Sequence, residues 1–362
     1  MKAAGRASPA SRRLRAVKPR KAGPRTAPPA GGQVHHDLFR ERLRVLDGLV
    51  EQALAESGGV AAGGSRVAEV VDAILDTYAG LARELDRHSP LDLLARVFGS
   101  GPSHDADEFG ADAGGERPVA PLLRLLYRSW WRVDVEGVEN VPDTGRVLLV
   151  ANHAGGLFAY DGAMLQVALQ ERHPAPRSAR PLVDDFHYDL PLVGGFVARC
   201  GGVRARPQNA ERLLRRDHAV IAFPEGVKGI GKPYDQRYRV QRFGRGGCVR
   251  AALRTGTPIV PVAIIGSEEI HPLVGRWDWL ARQLGLPYFP ITPTFPWLGL
   301  LGLVPLPSKW RIEFGRPLEW SQELGPEAAR DRQLVRRLNE ELRQRVQRLV
   351  AGALERRGRA FL

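Results

Sequence analysis

Two kinds of hydrophobic spacing divide this chain. Between residues 37 and 98 the apolar side chains recur mostly three to five positions apart. Leu38, Leu43, Leu46, Leu49 and Leu54 mark an amphipathic helix over 37–56, with Asp37 placed to cap it. Gly58, Gly59, Gly63 and Gly64 break that pattern. Ser65 then caps a second helix over 66–87, marked by Val67, Val70, Ile74, Tyr78, Leu81 and Leu85, and a shorter third helix spans 90–98. Beyond residue 119, short continuous apolar runs take over. The runs 147–150, 219–223 and 258–266 have the length and branching of buried strands, and 132–138, 180–183 and 310–314 read as further strands. Helices are expected over 122–131, from 162 to 171, over 209–215 and over 249–254. A long amphipathic helix is expected from Pro326 to 355, with Leu334, Leu338, Leu342, Val346 and Leu349 on its apolar face and arginines opposite.

Strands alternating with helices at this spacing point to an α/β fold. The expected architecture is a mixed, mostly parallel central sheet flanked by helices, with an N-terminal helical segment. The chain then divides into a tail over 1–35, a helical segment over 36–98, a Gly- and Asp-rich linker over 99–118, a main domain over 119–320 and a C-terminal amphipathic helix over 321–362.

Charge changes this picture only at the amino end. Residues 1–35 hold nine Lys and Arg and no acid, so +4 of the net +13 remains for all the rest. The tail is of low complexity and is expected to be disordered. Such a tail attracts nucleic acid and anionic headgroups alike, and charge alone does not separate them. With only Cys200 and Cys248 there is no disulfide framework, which suits a reducing compartment. No run of eighteen apolar residues appears and the basic tail lacks a signal-peptide core, so the expectation is a soluble cytoplasmic protein. The segment 286–307 is apolar and aromatic yet holds six prolines. It reads either as a buried loop or as a hydrophobic surface for a membrane interface or an acyl pocket.

Candidate chemistry gathers at two strand ends. The run 147–150 leads into Asn152-His153, and Asp161 follows beyond Gly155-Gly156. A histidine at the carboxyl end of a strand, held by a carboxylate, is a general base near neutral pH. The alternative is a histidine that caps a helix beside a solvated aspartate. On a continuous helix, residues eight apart are separated by ~12 Å along the axis, too far for a hydrogen bond. Pairing therefore requires the chain to bend at Gly155-Gly156. The second strand end carries Phe223-Pro224-Glu225-Gly226. Between the two lies Gly201-Gly202-Val203-Arg204-Ala205-Arg206, and Ile259-Val260-Pro261-Val262 follows.

In this order the four blocks, spread over 147–266, resemble those of the glycerolipid (lysophospholipid) acyltransferase superfamily, with flanking similarity from about 120 to 320. The resemblance implies a glycerol-3-phosphate acyltransferase-like fold and an acyltransferase domain over 119–320. It implies that His153 takes the proton of an acceptor hydroxyl as it attacks an acyl thioester, and that Asp161 fixes the imidazole. Backbone N–H groups near Gly155-Gly156 or Gly226 are candidates for holding the oxyanion. Glu225 and Gly226 would contact the acceptor or organise the loop. Arg204, Arg206 and Lys228 would bind phosphates of acceptor or donor. Neither a cofactor nor a metal is implied. The resemblance implies acyl-CoA or acyl carrier protein as the donor, and a membrane surface and a lipid acceptor as the partners. Nucleic acid is not expected. The protein would sit on the inner face of a membrane as a peripheral protein.

Two departures qualify the match. Seven residues separate His153 from Asp161 where the family usually has four, and Phe158 stands at the family's Asp position. This spacing resembles the monoacylglycerol and diacylglycerol acyltransferase branch. Val227-Lys228 stands where many members carry Thr and Arg, and lysine lacks the two-pronged fork of arginine. The acceptor could instead be a non-glycerol lipid alcohol, or the chain a non-catalytic basic lipid-binding module. The last reading leaves Glu225-Gly226 unexplained. The loop 234–247 adds Arg237, Arg239, Arg242 and Arg245 as a possible roof over anionic substrate. His187 and His271 lack a partner block, and a nucleophilic Ser or Cys context is missing.

Overall fold

A computed structural model describes residues 107–109, 116–154, 160–190, 193–283, 286, 288–358 and 360. The tail, the helices expected over 37–98, most of the 99–118 linker and the Gly155-Gly156 turn lie outside the described residues.

Helix α1 (Glu116–Leu125) passes into a π-helical turn, Leu126–Trp130, and reaches strand β1 (Asp134–Glu136). Then come β2 (Val147–Ala151), α2 (Tyr160–Arg172) and β3 (Ala179–Val183). Two short helices, α3 (Asp185–Asp189) and α4 (Val193–Arg199), precede β4 (Val203–Arg204), α5 (Pro207–Arg215) and β5 (Ala219–Ala222). A single helical turn, α6 (Val227–Ile230), leads by a long loop to α7 (Gly247–Thr255) and β6 (Ile259–Ile265). The hairpin β7 (Gly275–Arg276) and β8 (Pro290–Ile291) encloses α8 (Asp278–Gln283). Strand β9 (Arg311–Phe314), α9 (Trp320–Leu324) and the long α10 (Arg332–Arg357) complete the chain.

The main sheet has the order β1-β9-β6-β2-β5-β3-β4. Only the β6–β9 pair is antiparallel. The sheet is therefore mixed and mostly parallel, as the alternating pattern implies. Strand β2 is central and wholly buried, because its alternate side chains enter different layers. Val147 and Leu149 join the layer built with α1, α2 and the stacked indoles of Trp131 and Trp310. Leu148 and Val150 join the layer built with α5, α7 and α10. This two-sided burial is why the strand reads as an unbroken apolar run rather than an alternation.

Several elements differ from the expectation. The apolar face of α10 is Val335, Leu338, Leu342, Val346, Val350 and Ala353, with Leu334 and Leu349 only at its rim. The stripe is set by 3.6-residue geometry, so two valines displace two leucines from its centre. Helix α4 forms although Gly194 and Gly195 lower its propensity, because Val193, Phe196 and Val197 pack inward. The proline-rich segment is divided between roles. Its end is sewn into the core, with the indoles of Trp130 and Trp131 donating to the carbonyls of Pro305 and Leu306, while its start builds the hairpin lobe. No helix among the described residues is long and apolar enough to cross a membrane.

Candidate active site

The site begins with strand register. Parallel pairing sets Val150 of β2 beside Ala222 of β5. His153 and Glu225 each stand three residues beyond that pair, so both leave the sheet at the same edge and level. This is the carboxyl edge, where α/β folds place their ligands. Asn152 fixes the exit. Its side-chain amide donates to the carbonyl of Ile264 and accepts from the N–H of Ile264, both at 2.8 Å, and so continues the β2–β6 ladder after the backbone has turned away.

His153 and Asp161 meet. The imidazole Nδ1 lies 2.7 Å from Oδ2 of Asp161, which is fully buried. The same oxygen accepts from the N–H of Ala154 at 2.9 Å. Asp161 occupies the first turn of α2, where a carboxylate faces unpaired N–H groups and the positive helix end. A carboxylate only accepts, so Nδ1 carries the proton and Nε2 is left as the acceptor. Burial alone would lower the pKa of His153. The charge and hydrogen bond of Asp161, with Glu225 and Asp184 behind, outweigh it and hold the pKa above the ordinary 6.5. The ring also stacks on Phe223, centroids 4.5 Å apart, which fixes its plane.

Glu225 holds the other side of the same residue. Its Oε1 accepts from the backbone N–H of His153 at 2.8 Å, and its Oε2 accepts from the N–H of Gln241 at 2.5 Å. Buried Lys232 lies 3.7 Å from Oε2 and donates to Glu268 at 2.7 Å. Burial pushes the carboxyls of Glu225 and Glu268 up, against the pull of Lys232. Gly226, at φ +56° and ψ −146°, takes a backbone shape open essentially to glycine, and its N–H donates to the carbonyl of Phe223 within the turn. Gly229 lets α6 press on the histidine. A Cβ there would stand 2.7 Å from the carbonyl oxygen of His153.

One cavity is lined by this histidine and a second by its neighbour Ala154. The first, of about 200 Å³, opens where β3 leaves β5 after Pro181 to pair with β4. His153, Phe223, Phe196, Cys200, Cys248 and Arg206 are among its walls. The second, of about 240 Å³, lies against Ala154, Gly229 and Lys232 and is closed by Tyr288, Phe289 and Leu303. Both are lined mainly by apolar side chains. The arrangement sets a base that can remove a proton in the wall of one apolar cavity, with a second apolar cavity beside the next residue, Ala154.

Residues 132–265 match a family model described as Acyltransferase. The uncharacterized protein Rv0502 of Mycobacterium tuberculosis is 50% identical over 254 residues, covering 69% of this chain and 70% of that protein. Phytyl ester synthase 1, chloroplastic, of Arabidopsis thaliana is 25% identical over 250 residues, covering 62% of this chain and 34% of that one. The DGAT1/2-independent enzyme synthesizing storage lipids of Homo sapiens is 21% identical over 217 residues, covering 59% and 62%. The chain belongs to the glycerolipid acyltransferase superfamily.

In this acyltransferase the basic residues singled out from sequence are not gathered in one place. Arg206 lines the first cavity and lies 3.6 Å from Asp185. Arg204 is held by Asp185 at 2.6 Å and Asp189 at 3.0 Å and stacks over Tyr188, and it lines neither cavity. Lys228 is exposed on α6 and lines neither cavity. Of the loop arginines, Arg237 reaches the second cavity, while Arg239, Arg242 and Arg245 are exposed. Sequence reading missed Lys232 and Glu268, which carry the charge behind Glu225. A lysine in a Gly- and Arg-rich loop gives no sign of burial. Cys248, beside the first cavity, has its thiol pushed up to about 12 by burial, so it is a poor nucleophile.

Proposed function

We propose that this acyltransferase moves a fatty acyl group from acyl-CoA or acyl carrier protein to a hydroxyl of a glycerolipid acceptor, a lysophosphatidate or a mono- or diacylglycerol, at a membrane surface. The observation that carries the reading is the buried His153–Asp161 pair, with His153 in the wall of one apolar cavity and Ala154 in the wall of another. The acceptor oxygen attacks the thioester carbonyl while Nε2 of His153 takes its proton. A tetrahedral oxyanion forms. It collapses as the C–S bond breaks, and the imidazolium returns the proton to the leaving thiolate. Asp161 keeps the tautomer and stabilises the imidazolium throughout. The N–H of Gly226 is engaged by the carbonyl of Phe223 and that of Gly229 by the carbonyl of Gly226, so the N–H groups of Val227 and Lys228 at the start of α6 are the better oxyanion donors on this side. Arg206 binds an anionic end of donor or acceptor from the first cavity. Neither a resident metal nor a cofactor is needed for these steps.

A second reading keeps the chemistry and changes the acceptor to a non-glycerol lipid alcohol. It is favoured by the separation of Arg204 and Lys228 from both cavities, which leaves Arg206, Arg237 and Lys232, the last already paired with Glu268, as the lysine and arginine side chains beside apolar walls. The plant relative is named for a phytyl ester, which agrees with such an acceptor. The test is purified full-length protein with labelled acyl-CoA and a panel of lysophosphatidate, monoacylglycerol, diacylglycerol and a long-chain isoprenoid alcohol, run beside His153→Ala. The expected outcome is one preferred acceptor and a loss of ~10²–10⁴ in the variant. Transfer by the variant at the wild-type rate would sink the mechanism.

A further inference from the structure

The seven tryptophans of this chain fall into two groups. Trp130, Trp131, Trp310 and Trp320 are buried in the core. Trp277, Trp279 and Trp297 are 52%, 67% and 67% exposed, and all three belong to the hairpin lobe over 274–303. Val274, at 58%, joins them. A lone exposed apolar residue is ordinary, but three exposed indoles on one lobe are not. The indole has an apolar body and one polar N–H, which suits the boundary between headgroups and acyl chains. The lobe's charge fits the same boundary. From 270 to 308 the only acid is Asp278, against Arg276 and Arg282, and both arginines are exposed. The neighbouring loop adds exposed Arg237 over the Tyr234 ring, and the N–H of Tyr234 donates to the carbonyl of Leu273. The lobe also walls the second cavity. Trp277 lies 6.3 Å from Phe289, and Phe289 lies 5.3 Å from Phe295, both cavity residues.

We propose that the lobe over 274–303 is the face that docks on an anionic lipid bilayer, with Trp277, Trp279 and Trp297 entering the headgroup boundary and Arg237, Arg276 and Arg282 meeting its charge. The inference deepens the lipid-surface reading above and rests on it. It assigns contact to a lobe inside the folded domain, not to the basic tail.

The test uses full-length protein and vesicles of phosphatidylcholine with phosphatidylglycerol, some carrying brominated acyl chains. Wild-type tryptophan emission shifts to the blue on binding and is quenched by bromine in part, since four of the indoles stay in the core. W277A/W279A/W297A loses the shift and the quenching, and its binding weakens by roughly tenfold for each indole that had entered. Replacing Arg276 and Arg282 by alanine weakens binding to anionic vesicles and leaves the weak binding to neutral ones unchanged. Circular dichroism shows that each variant is folded. The proposal is overturned if the triple variant sediments with vesicles like wild type, as it would were the tail over 1–35 the anchor. It is equally overturned if wild type does not bind, or if the indoles instead hold two copies together and the triple variant changes association state with no effect on vesicles. Turnover of a soluble short-chain thioester and alcohol separates the two readings. Unchanged turnover in W279A/W297A, whose side chains line neither cavity, together with weakened vesicle binding supports docking by the lobe. Bromine quenching of a wild type that acylates nothing keeps the lobe and removes the proposed function.

Discussion

Asp161 and Glu225 are both buried carboxylates against His153, and they hold different parts of it. Asp161 takes the ring nitrogen, so it decides the tautomer and the proton affinity of the base. Glu225 takes the backbone N–H, so it decides where the residue stands. The first is on a helix eight residues downstream. The second comes from the next strand and is backed by Lys232 and Glu268. One carboxylate thus works on chemistry and the other on geometry, and substitutions should separate them.

The largest expected effect is at Asp161. Asp161→Asn keeps the shape but removes the charge, and kcat/KM is expected to fall by roughly two to four orders of magnitude. The pH profile sharpens the comparison. The base works when neutral, so in wild type activity rises with pH along a limb above the ordinary histidine value, because Asp161 outweighs burial. In the variant burial is opposed only by the weaker charges of Glu225 and Asp184, and the limb moves to lower pH while its plateau drops. A linkage runs alongside. A raised folded pKa gives the pair a stabilising contribution that is full below the unfolded value and is lost as pH rises through the folded one. A variant with wild-type plateau and limb would show that Asp161 does not tune the base.

Next is Gly229→Ala. A Cβ there would sit 2.7 Å from the carbonyl oxygen of His153 and 2.8 Å from its Cβ, both on the chain segment that carries the base. A displacement near 1 Å is expected to lower kcat by about 10²-fold with the pH limb in place. Steady-state kinetics across pH measure both at once. A shifted limb would mean that the pair itself has come apart.

How much of this was legible in the sequence differs between the two carboxylates. The 147–150 run announces a central strand because both of its faces are buried. The His153–Asp161 spacing is readable as a pair only with a bend between them, and the two side chains meet at 2.7 Å. Glu225 is visible as a residue after a strand, but its partner is not. Backbone N–H groups have no sequence signature, and the register that brings Val150 beside Ala222 is a property of the sheet. Lys232 and Glu268 are 36 residues apart and look like solvated charges. Their burial follows from the loop folding over Glu225. The hairpin lobe was legible only as an apolar stretch at odds with its prolines, since a two-residue strand pair leaves too little pattern to read.

Glu225→Gln tests the geometric half. The amide oxygen can keep the N–H of His153, but the other end turns a donor toward Gln241 and leaves Lys232 with Glu268 as its carboxylate partner. The cost to folding is about 1–3 kcal/mol, read as a shift in the denaturant midpoint. Turnover falls less than in Gly229→Ala, and the pH limb stays near wild type because Glu225 is a lesser contributor than Asp161 to the base's pKa. A limb displaced as far as in Asp161→Asn would erase the division between the two carboxylates.

The smallest effects are expected at the basic residues, and they decide which cavity meets charge. Lys228 is exposed, and Arg204 is tied to Asp185 and Asp189 at the surface. Exposed pairs contribute ~0–1 kcal/mol, so alanine at either position should change kcat/KM by under about fivefold. Arg206 differs by facing the cavity that holds His153. Its removal should raise KM for an anionic substrate and leave kcat in place, the mark of an interaction made equally in ground and transition states. Three single variants assayed with one charged and one uncharged acceptor are sufficient. If Arg206→Ala acts on both acceptors alike, the charge it meets belongs to the acyl donor. If Lys228→Ala raises KM as much as Arg206→Ala does, the phosphate site includes α6, and a phosphate-bearing glycerolipid becomes the better acceptor.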